Sequence, residues 1–253
     1  LFGFVPSVLA MAGLLGGILC AALALMPKGL PMGRKDTKFS EVFSKNRNIN
    51  WLSLARLFLF GARDVWFVVG IPIYFCAVLS DGSTEGNRAA FFMIGTFMAV
   101  WTILYGAVQA AAPRILRATK TTSADKLAQA KRWLLPLIVV PLVLSALVWS
   151  TTAPTAPLTI TIVLGLLAFG AVFAVNSALH SYLILSFTDA RRVTMDVGFY
   201  YMANAMGRLL GTVLSGWIYQ TQGLAACLWV SAGFLLLTAL ISRALPRHNK
   251  ASA

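Results

Sequence analysis

Residues 51–79, WLSLARLFLFGARDVWFVVGIPIYFCAVL, decide the fold. This stretch of 29 residues carries only three charges, Arg56, Arg63 and Asp64. About 20 apolar residues are enough to cross the hydrocarbon of a bilayer, so this stretch can span it with length left for tilt or a bend. Pro72 is the expected kink, because proline lacks the helical N–H and a neighbouring helix must satisfy the freed carbonyl. The same reading applied outward gives seven spans, at 3–26, 51–79, 90–112, 133–150, 158–185, 197–219 and 225–242. Pro136 and Pro141 are expected to kink the fourth. Composition agrees: 58% of the 253 residues are hydrophobic and 11% are charged, against about 25% charged in soluble domains. The expected fold class is an all-α integral membrane helix bundle.

The net charge of +13 could suggest nucleic acid, but its placement argues for topology instead. Loop 27–50 holds Lys28, Arg34, Lys35, Lys38, Lys45 and Arg47; loop 113–132 holds Arg114, Arg117, Lys120, Lys126, Lys131 and Arg132. Loop 186–196 adds Arg191 and Arg192, and the tail from 243 adds Arg243, Arg247 and Lys250. The opposite loops contribute only Arg88. By the positive-inside rule the basic set is cytoplasmic, so the C-terminus is expected inside a cell membrane and Leu1 outside. The chain starts at Leu1 with apolar sequence and no basic leader, which reads as a fragment whose N-terminal part is missing; one span, a basic linker and six further spans are what remains if a six-plus-six transporter is cut just before its sixth helix. Its expected parts are a last helix of a first half (1–26), a basic linker (27–50), a six-helix half (51–242) and a tail (243–253).

Cys20, Cys76 and Cys227 all lie in apolar stretches and match no disulfide or metal framework. As thiolates they could hold a soft metal or trivalent arsenic; as small membrane-helix residues they need no ligand. His180 and His248 are too few for a metal site. No hydrolase elbow, P-loop or dinucleotide fingerprint is present, so no enzyme, cofactor or metal is expected.

Polar residues are unevenly shared. Spans 3–26, 133–150 and 225–242 carry no charge and suit lipid-facing positions. Arg208 sits at the middle of span 197–219, and Arg63 and Asp64 lie within two residues of the middle of theirs. A midplane arginine costs about 2.5–3.5 kcal/mol on insertion scales, so it normally faces water or a partner. Arg56 and Arg63, seven apart, share a helical face, while Asp64 points about a quarter turn away and need not cancel Arg63. Tyr201, Asn204 and Arg208 align, as do Trp101, Tyr105 and Gln109, and Asn176 with His180. The set is net positive and suits an anion. Other readings stand beside this one. Asp64 could form a structural pair with Arg63 or Arg208, and Arg56 could snorkel to headgroups. The aromatic stripe could be packing, and His180 either a polar residue near the cytoplasmic mouth or a proton-linked one. Asp196 reads as the cap of a helix starting at Val197, and Gly207, Gly211 and Ser215 as a close-packing stripe.

The layout resembles the C-terminal portion of a major facilitator superfamily permease. More narrowly, Ala55-Arg56-Leu57-Phe58-Leu59-Phe60-Gly61-Ala62-Arg63-Asp64-Val65-Trp66-Phe67-Val68-Val69 and the stretch from Thr194 to Thr212 resemble organoarsenical efflux permeases of the ArsJ type. The resemblance implies that spans 51–79, 90–112, 158–185 and 197–219 line a central cavity. It implies export of 1-arseno-3-phosphoglycerate, made by a functionally linked glyceraldehyde-3-phosphate dehydrogenase, by a monomeric transporter. Arg63, Arg208, Asn204, Tyr201, Arg56, Tyr105, Gln109 and Asn176 are the candidate substrate residues, and Asp64 and His180 the candidates for charge pairing or proton coupling. The superfamily's usual loop latch is reduced here to Gly106 and Pro113-Arg114. The competing expectations are transport of another organic anion, a drug or a sugar on the same fold, or a non-transporting membrane scaffold whose charges are paired between helices.

Overall fold

The computed structural model describes residues 4–26, 44–117, 121–151, 153–189 and 192–245. Their regular structure is helical throughout: α1 (Phe4–Leu25), α2 (Arg47–Phe67), α3 (Gly70–Leu79), α4 (Thr84–Ile115), α5 (Ser123–Ser150), α6 (Ala156–Phe187) and α7 (Val193–Arg243). Six helices among the described residues are long and apolar enough to cross a membrane, α2 and α3 counting as one. That is the signature of a multi-pass membrane protein. Two compact units divide the chain, Leu1–Lys38 and Phe39–Ala253. In the first, α1 has 22 residues, about 33 Å of helix at 1.5 Å per residue, close to the ~30 Å hydrocarbon thickness.

In the second unit, helix ends fall outside the apolar stretches because polar caps set them. Ser83 Oγ accepts the Gly86 N–H at 2.9 Å and starts α4 at Thr84, before the apolar run at 90. Thr122 and Asp125 form a reciprocal capping box, which starts α5 ten residues ahead of the span expected at 133. The charged ends of these helices therefore extend past the apolar section.

Span 51–79 is broken in two. The break falls at Val68–Val69, four residues before Pro72, where the missing proline N–H leaves the Val68 carbonyl without its helical donor. The Gly70 N–H, released by the same break, donates to Ser215 Oγ at 3.0 Å, so a neighbouring helix satisfies it. By contrast α5 runs on through Pro136 and Pro141.

α7 is a hairpin. Gly223 holds φ 77, ψ −170, a backbone region open essentially to glycine alone. Cys227 Sγ lies 3.9 Å from the Ser215 carbonyl. Twelve residues of straight helix would separate them by about 18 Å, so residues 224–243 double back along 193–222. α2 packs against both arms: a Cβ on Gly61 would meet Phe234 at 3.0 Å and the Gly207 carbonyl at 3.1 Å. Ser231 Oγ donates to the Ala62 carbonyl at 2.7 Å. Span 225–242 is thus only half what the sequence suggests. Trp229, Leu236 and Leu240 are exposed, whereas Leu228, Ser231, Leu235 and Thr238 are buried.

α6 joins the rest. Trp101 of α4 donates its indole N–H to the Leu166 carbonyl at 2.9 Å, and Gly170 leaves room for the ring. One hydrophobic core gathers Trp66, Phe75, Trp101, Phe169, Phe173 and Leu228; a second gathers Ile49, Leu52, Leu179, Leu183 and Tyr200. At the latter end Asp196 corrects the sequence reading. α7 begins at Val193, with Arg192 in the cap position, so Asp196 is not a cap. Buried to 3% exposure, its carboxylate accepts from Ser44 Oγ at 2.9 Å and Thr188 Oγ1 at 2.8 Å. It fastens the end of the basic linker to the turn before α7. Lys28, Arg34, Lys35, Lys38, Lys120, Arg191, Arg247 and Lys250 lie outside the described residues.

Candidate functional site

The polar centre is built where α2 meets the first arm of α7. Gly207 and Gly211 stand where any side chain would strike the Leu57 and Gly61 carbonyls, so the two backbones nearly touch, as the small-residue spacing led one to expect. This approach places Asp64 opposite Arg208. Asp64 is fully buried and serves two arginines. Arg63 Nε donates to Asp64 Oδ1 at 2.6 Å, with Arg63 Nη2 also at 2.6 Å, and Arg208 Nε donates to Oδ2 at 3.1 Å.

Asp64 therefore does pair with Arg63 across their quarter-turn separation, one of the two partners that the sequence left open for it. An arginine side chain is long enough to bridge neighbouring positions on a helix. Leaving either buried charge unpaired would cost several kcal/mol, and the side chains bend together. The arginines differ in exposure: the Arg63 side chain is 11% exposed and that of Arg208 57%. Arg208 uses one nitrogen on Asp64, and its Nη1 and Nη2 bond to none of the described residues.

Arg56 forms a second, connected centre. It is 4% exposed and does not snorkel. Its Nε donates to Asn204 Oδ1 at 3.1 Å, and Nη1 donates to the Ser177 carbonyl at 3.0 Å and Ser177 Oγ at 3.1 Å. Its Cζ lies 4.0 Å from the Phe60 ring centroid and 5.0 Å from that of Tyr200. Arg63 Cζ lies 5.1 Å from the same Phe60 centroid. The ring thus stands beside both cations, a favourable use of its negative face. No carboxylate among the described residues forms a salt bridge with Arg56.

Other candidates distribute unequally around these centres. Tyr105 stacks on Trp101 at 5.6 Å with rings 4° from parallel, and its hydroxyl donates to Ser177 Oγ at 3.4 Å. It thereby joins the Arg56 centre. Gln109, further along the same α4 face, is half-buried. Asn204 is engaged by Arg56 instead of standing free for a solute. Tyr201 is 52% exposed and meets Tyr200 edge-on at 5.4 Å. Asn176 turns away from the centre: its Nδ2 donates to the Ala130 carbonyl of α5 at 2.8 Å, and it works as a helix-packing residue. His180 is 1% exposed, with Nδ1 unpartnered, so it is an interior residue and not one at a mouth. Ser177, which sequence reasoning missed, links Arg56 to Tyr105. Its place between Asn176 and His180, the two polar residues already singled out on that span, was the available signal.

With Arg56, Arg63 and Arg208 against Asp64, the four side chains carry two uncompensated positive charges. Two grooves lie elsewhere. One, of about 490 Å³, is lined by Phe75, Phe92, Phe97, Val163 and Leu167; the other, of about 500 Å³, by Asn50, Ser53, Leu57, Phe199, Met202 and Met206. Neither is lined by the arginines. Cys76 is exposed and Cys227 buried. No family model, curated protein or solved structure matches the chain.

Proposed function

We propose that the chain is the second half of a major facilitator-type exporter of organic anions, with the last helix of the first half ahead of it. Its proposed substrate is 1-arseno-3-phosphoglycerate, so that export confers arsenate resistance. The observation that carries this reading is the surplus of arginine charge gathered on one buried carboxylate, with the Arg208 guanidinium more than half exposed. A guanidinium with a free edge holds carboxylate, phosphoryl or arsenate oxygens bidentately. The Gly223 reversal supports counting α7 as two crossings and the whole as seven. The basic loops then fall on one face, the cytoplasmic one.

A second reading has an observation in its favour. The Asp64–Arg208 pair bridges two helices, as a non-transporting scaffold would require. Against it stands the exposure of Arg208, whose Nη nitrogens lie open although a purely structural pair has no use for them. The test uses the protein at its full natural length in an arsenate-sensitive cell that also makes the linked dehydrogenase. Expression should raise arsenate tolerance and lower cellular arsenic. Unchanged tolerance and accumulation at matched protein levels would exclude this substrate.

A further inference from the structure

We infer that the groove between α2 and the first arm of α7 seats a glycerophospholipid with an anionic headgroup. The site goes beyond the transport reading and does not depend on it. The groove, of about 500 Å³, is lined by Ser53, Leu54 and Leu57 of α2 and by Phe199, Met202 and Met206 of α7. Its α7 wall lies nearly opposite Arg208, because Met206 and Arg208 are two residues apart, about 200° of helical turn. The same face continues as Leu210, Val213 and Trp217, all exposed and none charged, as a surface against hydrocarbon must be. From Phe199 to Trp217 is about 27 Å of helix, close to the ~30 Å hydrocarbon thickness. Trp217 then sits at one interface, where tryptophan is favoured, and Phe199 at the other. The groove, from Phe199 to Met206, covers about 10 Å of helix and stays within one leaflet.

Two polar features at the shallow end say what lies in it. Ser53 is 1% exposed and its Oγ has no hydrogen-bond partner, and it lines the groove. A buried hydroxyl without an acceptor is costly; an acyl ester carbonyl entering the groove supplies one. Six residues earlier, about 9 Å of helix, stands Arg47, exposed at the start of α2. It heads the stripe Arg47, Asn50, Leu54, Leu57 that leads into the groove. Arg192, in the cap position of α7, is seven residues before Phe199 and heads the other wall. Such cations attract anionic headgroups, and the carboxylate of Asp196 at this end is closed off by Ser44 and Thr188. Cation, hydroxyl and apolar wall follow one another in the order of a phospholipid's own parts, phosphate, ester and acyl chain. The bilayer supplies that molecule to every lipid-facing surface, so no other partner is required.

The experiment adds phosphatidylglycerol, or phosphatidylcholine with the same acyl chains, to the delipidated full-length protein in detergent. Native mass spectrometry reads the Kd of the tightest-bound lipid. The variants are Arg47→Ala, Ser53→Ala, Ala203→Phe, whose ring would fill the groove from its α7 wall, and Arg114→Ala, an exposed cation of α4 that does not line it. Wild type should prefer phosphatidylglycerol. Arg47→Ala should weaken that lipid about fivefold, the effect of one cation at a membrane surface, and phosphatidylcholine little. Ser53→Ala should weaken both lipids, Ala203→Phe should lose the tight lipid, and Arg114→Ala should match wild type. Equal affinity of wild type for the two lipids would overturn the inference, as would a loss with Arg114→Ala as large as with Arg47→Ala. Tight lipid retained by Ala203→Phe, or a stable dimer that carries none and so covers this face with a second copy, would do the same. Arg47→Ala, at an exposed position, keeps the test decisive should Ala203→Phe fail to fold.

Discussion

At the scale of single residues, charge alone does not tell which arginine meets a solute. Arg56 and Arg208 look alike in the sequence, each an arginine with apolar residues on both sides of it. In the fold Arg56 spends its nitrogens on Asn204 and Ser177 and lies against Phe60, whereas Arg208 commits one. Arg56→Lys should therefore act mainly on stability. It keeps the charge but loses the flat, multi-donor contact, and thermal unfolding in detergent should show a loss of about 1–3 kcal/mol. An equal thermal profile would remove Arg56 from the structural frame. Asn176 gives the complementary test. Its bond to Ala130 predicts that Asn176→Ala lowers stability by about 1 kcal/mol and leaves anion affinity as it was; weakened affinity in a stably folded variant would return Asn176 to the site. Why the sequence left the partner of Asp64 open is also clear at this scale. Helical angles give the direction of Cβ, and a side chain as long as arginine can turn through the remaining quarter turn to reach a buried carboxylate.

At the scale of elements, the apolar stretches were readable because hydrocarbon thickness imposes a length on them. Helix ends were not, because Ser83 and Thr122 cap in the polar sequence beyond those stretches. The Pro72 kink was expected but lands at Val68–Val69, since proline disturbs the turn before it. The stripe Gly207, Gly211, Ser215 was legible as packing, and it proves to be what holds the site together, for it sets the approach of α2 to α7. Gly211→Val would push against the Gly61 carbonyl and the Asp64 side chain. Overpacking of this kind costs roughly 1–3 kcal/mol or more, and anion binding should fall together with thermal stability; an unchanged Kd would mean that the helix approach does not set the site. Gly223→Ala tests the hairpin separately. The backbone at φ 77 predicts a loss of about 1–3 kcal/mol, read as lower thermal stability with anion affinity retained.

At the scale of the whole molecule, topology and charge go together. On the proposed orientation, which puts the basic loops in the cytoplasm, a cysteine placed at Thr122 in a background free of Cys20, Cys76 and Cys227 should resist an impermeant thiol reagent in intact cells. Labelling from outside would reverse the orientation. Apolar length and basic loops made the membrane bundle legible from sequence, because both are imposed by the bilayer and its two faces. The pairing of helices was not legible, since lipid-facing and helix-facing apolar residues are chemically alike; residues 225–242 therefore passed for a lipid-facing span although half their surface packs inward. On the proposed reading Arg63 and Arg208 hold a transported anion, and their pairing with Asp64 is not structural alone. The most direct test is uptake of the organoarsenical anion by inside-out vesicles bearing the full-length protein, at matched protein levels. A charge-assisted hydrogen bond contributes roughly 1.5–3 kcal/mol, so Arg208→Ala should weaken apparent affinity by about one to two orders of magnitude. Arg63→Lys and Arg208→Lys should recover only part of the wild-type rate, and Arg208→Ala/Asp64→Ala should stay as weak as Arg208→Ala. Wild-type transport by that double variant would remove the anion site and leave the three charges as a structural triad.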